Sequence, residues 1–89
     1  MENILNEYVL AVLTMLNRRP MPKSGLYRTK PERKIVEELV EDRYIVLDGR
    51  VHTISPKGRK LQETLAAICR EYGDGTYIRI ANELEHDSA

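Results

Sequence analysis

The residues able to do chemistry in this 89-residue chain are mostly charged, fourteen cations and fourteen acids, and the cations come in blocks. Residues 17–34 hold Arg18, Arg19, Lys23, Arg28, Lys30, Arg33 and Lys34 against the single acid Glu32. Residues 50–60 hold Arg50, Lys57, Arg59 and Lys60 and no acid. Between them, residues 35–49 set five acids against Arg43, and both ends of the chain are acidic, so the net charge is zero. A zero total argues against binding to polyanions by charge alone, whereas two separated basic blocks suit local contacts with phosphate. The alternative is a solvated surface with i, i+4 pairs such as Lys34–Glu38.

Other chemistry is sparse. His52 and His86 have no carboxylate or cysteine at ligand spacing, so no metal site is expected. Cys69 is the only cysteine and reads as a small apolar helix residue, not a nucleophile. There is no P-loop, G-x-S-x-G or H-E-x-x-H motif, so an enzyme is not expected, nor any cofactor. The only aromatics are Tyr8, Tyr27, Tyr44, Tyr72 and Tyr77. They fall on or beside apolar stripes, which suggests core or interface positions, not a base-stacking platform.

The elements that must position the cations are written in local signals. Residues 3–17 read as a helix, with Leu5, Tyr8, Val9, Val12, Leu13 and Leu16 at helical spacing. Ile4, Leu10, Ala11 and Met15 lie off that stripe, and the surplus suggests a second copy of the chain as partner, the alternative being a helix buried on most sides within one copy. Pro20, Pro22 and Gly25 break the pattern, and Leu26-Tyr27 fits either one helical turn or a short strand. Thr29 and Glu32 form a capping box around Pro31, opening a helix over 30–43 with Ile35, Val36, Leu39 and Val40 inward.

Residues 44–54 read as a hairpin, since Asp48-Gly49 lies between two alternating β-branched runs. Ser55-Pro56 then caps and starts a helix over 56–72, with Leu61, Leu65, Ile68 and Tyr72 as one inner stripe and Gly73 as its stop. The tail, 74–89, fits a short helix bearing Tyr77, Ile80, Ala81 and Leu84, though Tyr77-Ile78-Arg79-Ile80 also suits a strand. The expected homodimer interface therefore combines Ile4, Tyr8, Ala11 and Met15 with Tyr77, Ile80 and Leu84. One domain spans 1–89. No stretch reaches the length of a membrane span and no secretory signal is seen, so a reducing, cytoplasmic setting is expected, with no membrane partner.

The run Leu39-Val40-Glu41-Asp42-Arg43-Tyr44-Ile45-Val46-Leu47, then Asp48-Gly49-Arg50-Val51, then Ile54-Ser55-Pro56-Lys57-Gly58-Arg59-Lys60-Leu61, resembles prokaryotic winged helix-turn-helix regulators of the broad MarR, ArsR and PadR kind. The likeness covers mainly residues 35–65. It departs at Arg43, where a glycine is usual, and in the interval before Thr29, too short for a full second helix of the motif. The resemblance implies an α+β, mainly α fold: a winged helix-turn-helix with a short two-stranded wing.

It also implies a small dimeric transcriptional regulator that binds double-stranded DNA. The recognition helix would begin at Pro31, with Lys30, Arg33 and Lys34 at base edges and Lys23 and Arg28 on phosphates. Arg50 would stand at the wing tip, and Lys57, Arg59 and Lys60 on flanking backbone. The acids Glu37, Glu38 and Glu41 on the outer face of that helix support an alternative. In it the domain is a protein-interaction module, an adaptor or small inhibitor, whose partner is basic and which binds no DNA itself.

Overall fold

Four consecutive residues of the first helix, Leu10, Ala11, Val12 and Leu13, are all buried, which a helix achieves only when neighbours cover every side. The computed structural model describes residues 2–22, 25–27 and 29–87, with side chains described from residue 7 to 86 within those ranges. Helix α1 runs Glu2–Arg18, followed by strand β1 (Met21–Pro22), helix α2 (Lys30–Glu41), strands β2 (Ile45–Asp48) and β3 (Val51–Ile54), and helices α3 (Pro56–Glu71) and α4 (Thr76–Asp87). The fold is α+β and mainly α. Helix α1 is the axle: it packs most extensively on α4, then on α3, β3 and α2.

The apolar surplus of α1 is thus answered within the chain. Tyr8, Ala11 and Met15 are buried, and so are Tyr77, Ala81 and Leu84 of α4, with Ile80 half-buried against the same core. All of these but Ala81 were expected at a homodimer interface. They are instead interior, because the i, i+3, i+4, i+7 face of α4 closes over α1. The side chain of Ile4 lies outside the described ones. Two arginines pin the pair at its far end: Arg18 Nη1 donates to Asn82 Oδ1 (2.8 Å) and meets Glu85 Oε2 (3.2 Å), while Arg19 Nε meets Glu85 Oε1 (3.2 Å). The tail is a helix over 76–87, not a strand. Asp74 Oδ1 accepts from Thr76 N (3.0 Å) at its start.

The sheet has three strands in the order β1-β3-β2, one more than the two-stranded wing expected. Met21 pairs with His52 and Pro22 with Val51, so the proline-rich break supplies an edge strand. Proline is tolerated there because an edge has no second neighbour to receive an N–H. The β2–β3 register runs from Ile45↔Ile54 to Asp48↔Val51, which leaves Gly49-Arg50 as the two-residue loop. That is one residue later than an Asp-Gly loop. Gly49 has φ 65 and Arg50 is not in the left-handed region, the pattern of a type II′ turn with glycine at its first central position.

Helix α2 starts at Thr29, whose Oγ1 accepts from Glu32 N (3.4 Å), and buries Val36 and Leu39. It ends in a Schellman motif: Arg43 N donates to Val40 O and Tyr44 N to Leu39 O, each 3.0 Å. The left-handed residue of that motif is Arg43 (φ 66), a position where glycine avoids the steric cost of a Cβ. Helix α3 starts at Ser55, whose Oγ accepts from Gly58 N (3.0 Å). It ends in a second Schellman motif through Gly73, with Asp74 N donating to Cys69 O (2.8 Å).

Within α3 the expected inner stripe is only partly inner. Gly58 and Ala66 are the buried residues, Leu61 and Leu65 are half-buried, and Ile68 and Tyr72 are exposed. The helix meets α1, with Gln62 Nε2 donating to Thr14 Oγ1 (3.3 Å).

Candidate nucleic-acid interface

Helix α2 offers one face to the core and the other to solvent. Lys30, Arg33 and Lys34 occupy the exposed face at its N-terminal end, Glu37, Glu38 and Glu41 at its C-terminal end. A helix N-terminus carries partial positive charge, so the basic residues reinforce it and the acids stay clear of it. Arg33 is not a free cation: its Nε pairs with Glu37 Oε1 at 2.9 Å and its guanidinium lies over the Tyr27 ring, 5.9 Å from the centroid. The i, i+4 pair is therefore Arg33–Glu37, which leaves Lys34 clear of Glu38. Lys30 and Lys34 are exposed and make no ion pair among the described residues. Lys23 and Arg28, expected on phosphates, lie outside the described residues.

The β2–β3 hairpin leaves the C-terminal end of α2 through Tyr44 and folds back along it. Leu47 and His52 line a cleft of about 150 Å³ with Val36, Glu37, Val40 and Tyr27. Beyond them the loop Gly49-Arg50 carries Arg50 exposed at its tip.

The third basic group belongs to the other end. Lys57 Nζ donates to the carbonyl of Asp42, the C-cap of α2, at 2.9 Å and stands 4.4 Å from the Tyr44 ring centroid. Asp42 follows Lys30 by twelve residues, about 18 Å of helix. Lys57 thus serves as a cationic clasp on the C-terminus of α2, where a positive charge is favourable. The basic group expected on flanking backbone is left with Arg59 and Lys60, both exposed. Lys57 and Lys30 are thus held at opposite ends of α2.

His52, placed by sequence in the second wing strand, is buried at 2% exposure beneath the wing. Tyr8 Oη donates to Leu26 O, tying α1 to the segment before α2. Among the described residues no group of three or more His, Cys, Asp or Glu side chains is arranged to hold a metal ion. Among the same residues no helix is long and apolar enough to cross a membrane.

One constellation had no signal in the sequence, because its members lie far apart in the chain. Glu7, Cys69 and Asp74 line a second hollow with Ile68 and Tyr72. Desolvation, then the neighbouring Asp74 charge, raises the Glu7 carboxyl above its usual range. Hydrogen bonding from Thr76 holds Asp74 below its own. Burial, then the charges of Asp74 and Glu7, pushes the Cys69 thiol up, away from the thiolate that nucleophilic chemistry needs.

Comparison with protein-family models, with curated proteins and with solved structures finds no match for this chain.

Proposed function

We propose that the chain binds double-stranded DNA as a small winged-helix transcriptional regulator, presenting the first turn of α2 to the duplex and Arg50 to an adjacent groove. The observation that carries the proposal is the pairing of exposed Lys30 and Lys34 on the N-terminal turn of a helix whose opposite face, Val36 and Leu39, is anchored in the core. A helix held in this way enters a major groove by its tip, so the acids Glu37, Glu38 and Glu41 remain outside it. Few phosphates are contacted, and the affinity is accordingly modest and salt-sensitive.

The test is a fluorescence-anisotropy titration of random-sequence and genomic duplexes at several salt concentrations. The expected slope of log K against log salt is about −0.9 per phosphate contacted, and the double variant Lys30→Glu, Lys34→Glu abolishes binding. Absence of binding to any duplex at low salt overturns the proposal.

A second reading is favoured by the internal use of Arg33 and Lys57. In this reading the exposed acids of α2 meet a basic protein, and the chain acts as an adaptor or inhibitor. Capture of a stoichiometric protein partner that survives nuclease, and is lost on Glu38→Lys, supports it over DNA binding.

A further inference from the structure

Val46, Leu47 and Val51 are large apolar side chains, yet they are 47%, 38% and 39% exposed, and all three stand on the β2–β3 hairpin. The hairpin also has an open side: in the order β1-β3-β2, only β3 pairs with β2. Ser55 N donates to Tyr44 O (3.1 Å), so these two residues face each other as a hydrogen-bonded pair. By the alternation of an antiparallel ladder, Val46 with Thr53 and Asp48 with Val51 do the same. Ile45 and Leu47 therefore turn their N–H and C=O groups away from β3. Ile45 is buried, so the reachable edge centres on Leu47. Among the described residues no turn or loop hydrogen bond reaches the Leu47 N–H or C=O. Edge strands are commonly blunted by proline, lysine or a bulge. Strand β1, at the other edge, carries Pro22; β2 carries none of the three, and its register runs unbroken.

Outward amide groups on a strand edge are matched in both donor and acceptor by another extended backbone, so the occupant is a strand. Its chemistry follows from the charges around β2. Glu41, Asp42 and Asp48 are exposed and form no ion pair among the described residues, and Glu37 lines the cleft with Leu47. Arg43 is the only cation of residues 35–49. A second copy pairing through β2 would set this acidic block against itself, and like charges across a strand pair repel. A segment in which lysine or arginine alternates with apolar residues meets the acids favourably and covers Val46.

We propose that the open edge of β2 is a strand-addition site, which takes an extended, basic segment of a different protein as the fourth strand of the sheet. This rests on the second reading above, in which the partner is a basic protein, and places the contact on β2 and not on α2 alone. Backbone bonds at Leu47 hold the segment, and its side chains reach Val46 on one face and the Leu47 cleft on the other. The contact is short, so binding is weak and fast to exchange.

Nuclear magnetic resonance titration of the full chain with a short synthetic peptide of alternating lysine and valine tests it. The peptide shifts the Leu47 amide and slows its hydrogen exchange, while the Val46 and Asp48 amides, already in the ladder, keep their protection. The fully N-methylated peptide, which keeps the charge and donates no backbone hydrogen bond, binds roughly tenfold more weakly. Leu47→Pro removes the outward N–H without touching a ladder bond and abolishes binding. Val46→Lys, at an exposed position, weakens it at an unchanged Tm. A titration that leaves the Leu47 amide unmoved overturns the proposal. Equal binding of the N-methylated peptide overturns strand addition too, and loss of that binding on Glu38→Lys would then leave the basic-partner reading standing. Association of the chain with itself that Val46→Lys abolishes makes the occupant a second copy, which overturns the proposal equally.

Discussion

Gly58 lies in the first turn of α3, where helix propensity alone says that alanine is better by about 1 kcal/mol. The structure reverses the sign. A Cβ at Gly58 would stand 2.1 Å from the Tyr44 carbonyl oxygen and 2.9 Å from Ile54 Cγ1. The first distance is roughly 1.4 Å inside van der Waals contact, and backbone cannot rotate out of the way as a side chain can. Relief requires α3 to back off from the hairpin base. That base is held by Ser55 N and Oγ on Tyr44 O (3.1 and 3.0 Å), by Ser55 Oγ on Arg43 O (2.7 Å) and by Lys57 on Asp42 O (2.9 Å). Overpacking costs about 1–3 kcal/mol, and each hydrogen bond stretched adds up to about 1 kcal/mol. Less the propensity gain, Gly58→Ala destabilises by about 2–3 kcal/mol, a fall in Tm of roughly 10–20 °C for a domain of this size. Thermal melts followed by far-UV circular dichroism read it directly. Gly75→Ala, where a Cβ meets nothing within 4 Å, is the matched control and stays within about 0.5 kcal/mol of wild type. A Gly58→Ala chain as stable as wild type, or more so, refutes the close approach of α3 to the hairpin.

Arg43→Gly relieves the left-handed residue of the α2 Schellman motif and stabilises the chain by about 1 kcal/mol, seen as a raised urea midpoint with an unchanged m-value. Ser55→Ala removes the α3 cap and the hydroxyl contacts to Arg43 O and Tyr44 O, and lowers stability by about 1–2 kcal/mol in the same assay. Glu7, with its carboxyl raised, holds its proton more tightly folded than unfolded. It therefore favours the folded state below the ordinary carboxylate range and loses that contribution as pH rises through its folded value. Glu7→Gln accordingly matches wild type in acid and melts higher at neutral pH. Asp74, held low, contributes above its ordinary range and loses that contribution as pH falls. Asp74→Asn thus melts lower than wild type at neutral pH, and the gap closes in acid.

What could be read from the sequence was what local chemistry specifies. The Thr29 and Ser55 caps, the glycine at 49 and the glycine stop at 73 each act within a few residues, and each sits at the boundary it signals. What could not be read was which surface answers which. Periodicity says that Ala11 and Met15 are buried, but a second copy and the chain's own α4 leave the same trace. Helix α3 is the reverse case: Leu61, Leu65, Ile68 and Tyr72 have core spacing, yet only Leu61 and Leu65 reach the core, and Ile68 and Tyr72 stay exposed. Strand β1 escaped because two residues, one of them proline, hold no strand periodicity. Among the cations, nothing near Lys57 in the chain foretold that the Asp42 carbonyl would hold it, since that contact depends on how α3 docks against α2.

Helix α1 is apolar around most of its circumference, and the element that covers it best, α4, follows it only after the sheet and two further helices. The Arg18–Asn82 contact joins residues 64 positions apart. At the roughly 5–20 residues per second of ribosomal synthesis, α1 waits on the order of 3–13 s for α4 to emerge. Through that interval a greasy helix lies uncovered in a nascent chain, a natural client for holding chaperones. Truncation just before α4 would leave it in that state permanently, so insolubility of such fragments would follow from the order of synthesis itself.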